Sequence, residues 1–451
     1  MRRSLLPAAL IALAVAAPAA RADAPWSAPA PIPSAFGAPG AVVFTPAGHG
    51  AITASGPGSA TVVERGTQVT PLSADGTLGA ARTVPVFAGR LVTYGTDGLA
   101  LVGQRPSQTG AEAARAPVLV ATGTPAGGLG TPKALAGTTG QQVVAVAGSA
   151  RGTIAVVTGT ATGRRERIVW AGRGGSTLRR VATIRVGASG QTAAVAVGSH
   201  GDLLVAYQDG HAVFSRHVGP TGHVAAAHRL GTAYQATLQV RYDDSGRQEV
   251  AWMSQRVSEG DALTGAIITY TSAAKNHNFT RAVVVGRDDI TGTGRYVQQP
   301  GVRLVGSGSD SSVLATTVYS GGHYRVQVAN VVAGTVQPPA TMPAPEGDDA
   351  VLGDLAYARA GGTVVLWLSG TRGADPSGPQ RVFAAVRPGG AADFGPAEAV
   401  SPAVDPTTPE ARNATSVPYP PVAAVDPVSG AAVAAWSSLS QTPLVAVRPR
   451  G

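Results

Sequence analysis

A hairpin motif recurs along most of the chain, and repetition at a long, regular period restricts the fold more than any other feature of a sequence. The clearest copy is Tyr419 to Trp436, YPPVAAVDPVSGAAVAAW: an apolar strand, a turn on Asp426, Pro427 and Gly430, and a second apolar strand. Aligned on the residue before the second strand, the copies fall at Gly50, Gly98, Gly152, Gly201, Gly246, Ser311, Gly362 and Gly430. The intervals run from 45 to 68 residues, with a mean of about 54. That exceeds the period of leucine-rich or helical repeats and suits four strands per unit. The spacing predicts an all-β propeller of eight four-stranded blades, with seven as the alternative count.

The seventh repeat shows the four strands within one unit, at Ala350 to Arg359, Gly362 to Gly370, Arg381 to Gly389 and Phe394 to Pro402. First strands read as near-continuous alanine and valine, the pattern of a sheet covered on both faces. A radial array covers every sheet in this way. The ends of the chain are out of phase by one strand. PLVAVRPRG at the C-terminus copies a third strand, so the last repeat lacks its fourth, while PWSAPAPIPS near the start resembles the fourth strand FGPAEAVSP. The N-terminal strand is therefore expected to complete the last blade, which removes the open edges of the ring.

Before that strand comes MRRSLLPAALIALAVAAPAARADA. Arg2 and Arg3, the apolar run Leu5 to Ala17, and Ala20-Arg21-Ala22 have the three-part form of a secretory signal peptide. Residues 1–22 are read as the leader, with cleavage after 24 as the alternative, and 23–451 as a single propeller domain. No later run approaches the ~18 apolar residues of a membrane span. The chain contains no cysteine, which excludes disulfides, thiolate metal sites and cysteine nucleophiles. The reading is a secreted, extracellular monomer.

Formal charge is +9, or +6 once Arg2, Arg3 and Arg21 are removed with the leader. Aromatic residues make up 5% and are not interleaved with the arginines, so the stacking platform of a nucleic-acid binder is missing. Nucleic acid is not an expected partner. The densest basic group is Arg164-Arg165-Glu166-Arg167, read as solvated surface.

The chain resembles secreted bacterial β-propellers of the broad superfamily that includes sialidase-like and WD40-like proteins. Asp243-Asp244-Ser245-Gly246 through Trp252, and Asp426 to Trp436, are similar to the Asp-box hairpin in carrying aspartate, glycine and tryptophan in that order. The glycine-to-tryptophan spacing is longer than in that motif and no serine precedes the aspartate correctly. The Arg-Ile-Pro motif of sialidases and the Trp-Asp signature of WD40 repeats are absent, so no subfamily follows.

Strand alternation puts the connections from strand two to three, and from four to the next blade, on one rim. The long segments fall mostly there, and loops on a rigid scaffold concentrate binding residues. The candidate contacts on this rim are Arg256, Asp261, Arg287, Asp288, Asp289, Arg295, Tyr296, Arg372, Asp375, Arg412 and Tyr419. There is no GxSxG, HExxH or P-loop. The expected function is a non-enzymatic binding or scaffold module for a protein, glycan or cell-wall polymer. A carbohydrate-active hydrolase or lyase is the alternative, a hydrolase requiring two convergent carboxylates.

Histidines 200, 211, 217, 223 and 228 fall close together. A turn at Pro220-Thr221 would pair Val218 with His223 and send His217 and His223 to opposite faces. His211 and His228 could share a face, but two histidines make a poor zinc site. No cofactor is expected; calcium on Asp243-Asp244, Asp288-Asp289 or Asp348-Asp349-Asp354 is the alternative.

Overall fold

The structure, a computed structural model, describes residues 25–33, 36–55, 66–105, 115–160, 166–174, 178–187, 192–257, 263–275, 278–288, 301–308, 310–346, 349–370, 380–403, 421–437 and 442–450. Residues 1–22, read above as a leader, lie outside them. The strands assemble into eight antiparallel sheets. Blades 1 to 7 occupy residues 36–84, 87–134, 141–185, 193–232, 234–288, 302–341 and 349–399. Blade 8 combines residues 422–448 with 30–31. In blades 2 and 6 the fourth strand is broken into two short pieces.

Neighbouring first strands pack against one another from blade 1 to blade 8, and the first strand of blade 8 packs on that of blade 1. The ring is closed. Its core consists of eight apolar clusters, one in each interface between adjacent blades. Alternate residues of one strand serve opposite interfaces. On the second strand of blade 7, Gly362–Gly370, Val364, Leu366 and Leu368 face blade 8, while Val365 and Trp367 face blade 6. Every residue of that strand is buried. Two-sided burial explains why the sequence lacks polar alternation there.

The N-terminal strand completes blade 8 as expected. Ala30 pairs with Val445 and Pro31 with Leu444, antiparallel. Ser27 N–H donates to the Val447 carbonyl at 2.7 Å, Ile32 N–H donates to the Pro443 carbonyl at 2.9 Å, and Val447 N–H donates to Ser27 Oγ at 3.0 Å. Ile32 is buried in the cluster between blades 8 and 1, and Trp26 rests against the cluster between blades 7 and 8.

The turn from first to second strand has a repeating construction. Thr45, Ser149, Gly198 and Asp243 each receive a hydrogen bond from a glycine three residues on, and donate their own N–H to the carbonyl of the residue after it. The glycine has positive φ, between 83° and 90° at Gly48, Gly152, Gly201 and Gly246. This is a type I turn closed by a left-handed bulge residue. Where the first position carries an oxygen, it also accepts the fifth residue's N–H, as Asp243 Oδ1 does from Arg247 at 2.8 Å. Two of the aligned glycines are not the left-handed ones: in blades 1 and 2 positive φ falls on Gly48 and Gly95, not Gly50 and Gly98.

The same turn connects strands three and four of blade 4, with Gly222 at φ 92°. It moves the pairing by one residue, so Val218 faces Val224 and not His223. Because side chains alternate along a strand, that slip exchanges the two faces.

Candidate functional site

A cleft of about 370 Å³ opens between blades 6 and 7 on the rim of the short turns. Blade 6 contributes Ser307, Ser311, Asn330, Val332 and Gln337; blade 7 contributes Tyr357, Thr363, Arg387 and the turn Pro388 to Ala392. The turn backbone is accessible because Gly390 takes φ 85° with open space where a Cβ would sit.

Arg387 forms the floor. Its Nη1 donates to Asn330 Oδ1 of blade 6, its Nη2 donates to Thr363 Oγ1 at 3.1 Å, and its guanidinium lies over the Phe394 ring at 5.4 Å. The side chain is only 7% exposed. Burial lowers its pKa, and Tyr357 and Asp393 oppose that shift. Spent on three partners, Arg387 joins two blades and shapes the cleft. Arg448, which ends the third strand of blade 8, does the equivalent: it bridges to Glu398 of blade 7 at 3.0 Å.

The groups left to meet a ligand are hydroxyls, amides, backbone and one phenol. Ser307 Oγ donates to Ser311 Oγ at 3.0 Å, and Gln337 N–H donates to the Asn330 carbonyl at 2.7 Å. Burial and the charge of Asp244 raise the Tyr357 pKa, with Arg359, Arg241 and Arg387 pulling the other way. A phenol so placed stays protonated at neutral pH and forms hydrogen bonds; it is a poor base. Among the described residues no carboxylate lines the cleft.

Behind the cleft, blades 5 and 6 share a buried polar network. Glu249, 1% exposed, accepts hydrogen bonds from Tyr270 Oη at 2.8 Å and from Ser312 Oγ, and pairs with Arg241 Nη1 at 3.1 Å. Arg241 also donates to the carbonyls of Val305 and Ser311. Further round, Arg303 pairs with Asp354 at 3.0 Å, and Asp354 accepts the Ala423 N–H, linking blades 6, 7 and 8.

Of the expected contacts on the long-loop rim, Asp261, Asp289, Arg295, Tyr296, Arg372, Asp375, Arg412 and Tyr419 lie outside the described residues. The other three come together at one edge of blade 5. Arg256 pairs with Gly265 on the next strand, and Ala266 beside it pairs with Asp288, which follows the exposed Arg287.

Of the aspartates considered for calcium, Asp243, Asp349 and Asp354 have protein partners. Asp243 Oδ1 accepts from Ser245 Oγ and Arg247 N–H, and Asp349 Oδ1 accepts from Tyr324 N–H at 2.8 Å. Among the described residues no three His, Asp or Glu side chains converge as a metal site. His211 stacks on Tyr234 and His228 packs on Phe279, both against blade 5, while His217 bonds Asp202 at 3.2 Å. Burial raises the Asp202 pKa, but Tyr242 and His217 outweigh it and hold the carboxyl below its usual value.

These observations define the chain's class: an eight-bladed β-propeller closed by its own N-terminal strand, with a polar cleft on its turn rim. No narrower assignment follows, since no family model and no curated protein matches the sequence. Among solved structures it is similar to an ulvan lyase, described as a new family of polysaccharide lyase, at 9% identity over 74% of this chain and 92% of that one, TM-score 0.47. It is also similar to virginiamycin B lyase from Staphylococcus aureus, at 10% identity over 75% and 94%, TM-score 0.44. A protein from Lactobacillus plantarum aligns at 12% identity over 75% and 94%, TM-score 0.42. The similarity is confined to the arrangement of strands.

Proposed function

We propose that this propeller is an exported, non-enzymatic binding module that holds a segment of a glycan in the cleft between blades 6 and 7. The observation that carries the reading is the cleft's inventory: hydroxyls, amides, exposed turn backbone and the Tyr357 ring, with no carboxylate among the described lining residues. Sugar hydroxyls exchange hydrogen bonds with such groups, and an aromatic face covers the apolar side of a pyranose. The leader-like residues 1–22 support encounter with an extracellular polymer. The long-loop edge of blade 5, with Arg256, Arg287 and Asp288, would extend the contact surface to the opposite rim.

The test is a titration of the chain from residue 25 onward against a panel of neutral oligosaccharides by calorimetry, with product analysis of the same mixtures. Binding is expected without turnover. Tyr357→Ala should weaken it at least tenfold, and Tyr357→Phe less, since it loses only the hydroxyl. Cleaved product that disappears in Tyr357→Phe would replace this reading with the carbohydrate-active one. Binding unchanged by Tyr357→Ala would move the site elsewhere.

A further inference from the structure

The net charge of the ring is concentrated on one blade. Blade 3, residues 141–185, contains Arg151, Arg164, Arg165, Arg167, Arg173, Arg179, Arg180 and Arg185 against Glu166 alone, a net +7. The whole chain is +9, so the other seven blades and both ends together carry +2. No other acidic residue occurs between Glu112 and Asp202.

The fold gathers four of these arginines on the turn rim. Arg151 sits in the turn between strands one and two; Arg173 ends strand three; Arg179 and Arg180 begin strand four. The two turns are tied side by side by Gly174 N–H donating to the Gly152 carbonyl at 2.9 Å. All four side chains are exposed. Among the described residues none has an acidic partner, and Arg180 reaches only Thr183 Oγ1 of its own strand. The acids of the first turns in the flanking blades, Asp97 and Asp202, are each engaged by a histidine, His49 at 2.8 Å and His217 at 3.2 Å.

Arg173 pairs with Thr153, the residue after the left-handed Gly152. Arg387 pairs with Thr363, the residue after the left-handed Gly362. The two arginines therefore occupy the same position in their blades. In blade 7 that guanidinium is buried and spent on joining blade 6; in blade 3 it stands exposed. A position that elsewhere stabilises the ring is here left open.

We infer that the turn rim of blade 3 is a docking site for an anionic polysaccharide, whose carboxylate or sulfate groups are met by Arg151, Arg173, Arg179 and Arg180. The guanidinium fork matches both groups in bidentate fashion. A protein partner would require an apolar centre. The large apolar side chains exposed among the described residues, Val283, Val284, Val332 and Val428, belong to blades 5, 6 and 8. A single-stranded nucleic acid would require stacking rings. The one aromatic residue of blade 3, Trp170, is buried.

The site shares no residue with the blade 6–7 cleft, so either can fail without the other. The experiment measures binding of the chain from residue 25 onward to immobilised heparin and to polygalacturonate at 50 to 200 mM salt. Four displaced counterions give a log–log slope of about −3, or about a 60-fold loss over that range. The variant R151Q/R173Q/R179Q/R180Q should lose at least tenfold at 50 mM salt and most of the slope. A control of equal charge, R105Q/R115Q/R281Q/R450Q, should lose less than threefold. Preference for heparin assigns sulfate, and preference for polygalacturonate assigns carboxylate. Equal losses in the two variants, or duplex DNA bound as tightly with the same dependence on the four arginines, would overturn the inference.

Discussion

Closure of the ring by residues 25–32 is the feature whose removal has the most calculable effect. Deleting them takes away the backbone bonds of Ser27, Ile32 and Val447. Each is worth about 1 kcal/mol net. It also uncovers the site of Ile32, which is 2% exposed, at about 2 to 3 kcal/mol, and the partly buried Trp26. The expected loss is about 6 kcal/mol, comparable to the whole stability of a marginal domain. With an unfolding entropy of about 2.1 cal/mol/K per residue, a chain of this size loses about 1 °C per kcal/mol, so Tm should fall by about 6 °C. The strand Pro443–Arg448 would then present an unpaired edge, and light scattering should show more association than for the intact chain. A synthetic peptide of residues 25–33 should restore Tm and reverse that association. A truncated protein that melts within 2 °C of the intact one, and ignores the peptide, would refute the argument that the eighth blade is shared by both ends.

Other expectations follow from single positions. Glu249→Ala leaves Arg241 without its buried partner and should cost about 3 to 5 kcal/mol in denaturant unfolding, whereas Glu249→Gln, which keeps an acceptor, should cost less. Gly246→Ala meets only the Lys275 side chain at 3.4 Å and should lose about 1 kcal/mol to its positive φ. Gly362→Ala would place a Cβ 2.0 Å from the Arg387 carbonyl and should lose several times that, read as a shift in denaturant midpoint. The depressed pKa of Asp202 contributes stability that is present above the ordinary carboxylate range and lost as pH falls through the lowered value. Tm measured between pH 5 and pH 2 should therefore fall less steeply in Asp202→Asn.

Much of the architecture was legible because it is written eight times. The count of eight, the four strands per blade and the shared last blade all follow from self-similarity, and the two-sided burial of Val364 to Leu368 accounts for the missing polar alternation. Turn detail was less legible. A hairpin read as two residues at Pro220-Thr221 closes instead on the left-handed Gly222, and one residue of slip was enough to misplace His223. The cleft as a whole was not legible in the sequence, because Asn330, Tyr357 and Arg387 come from three strands of two blades. One signal was present. Ala384-Ala385-Val386-Arg387-Pro388 and Val445-Ala446-Val447-Arg448-Pro449 repeat an arginine at the end of a third strand, and both arginines bridge to the preceding blade. The charge of blade 3 was visible only as a scatter until the topology assigned Arg151 and Arg173 to adjoining turns.

An even number of blades has a geometric corollary that an odd number lacks: every blade has an antipode. Blade 3, with its free arginines, stands across the hub from blade 7, which supplies Tyr357 and Arg387. A stiff chain long enough to touch both would have to cross the axis of the ring, so occupancy of the two stations by one polymer would also lay it over the turn-rim ends of the first strands.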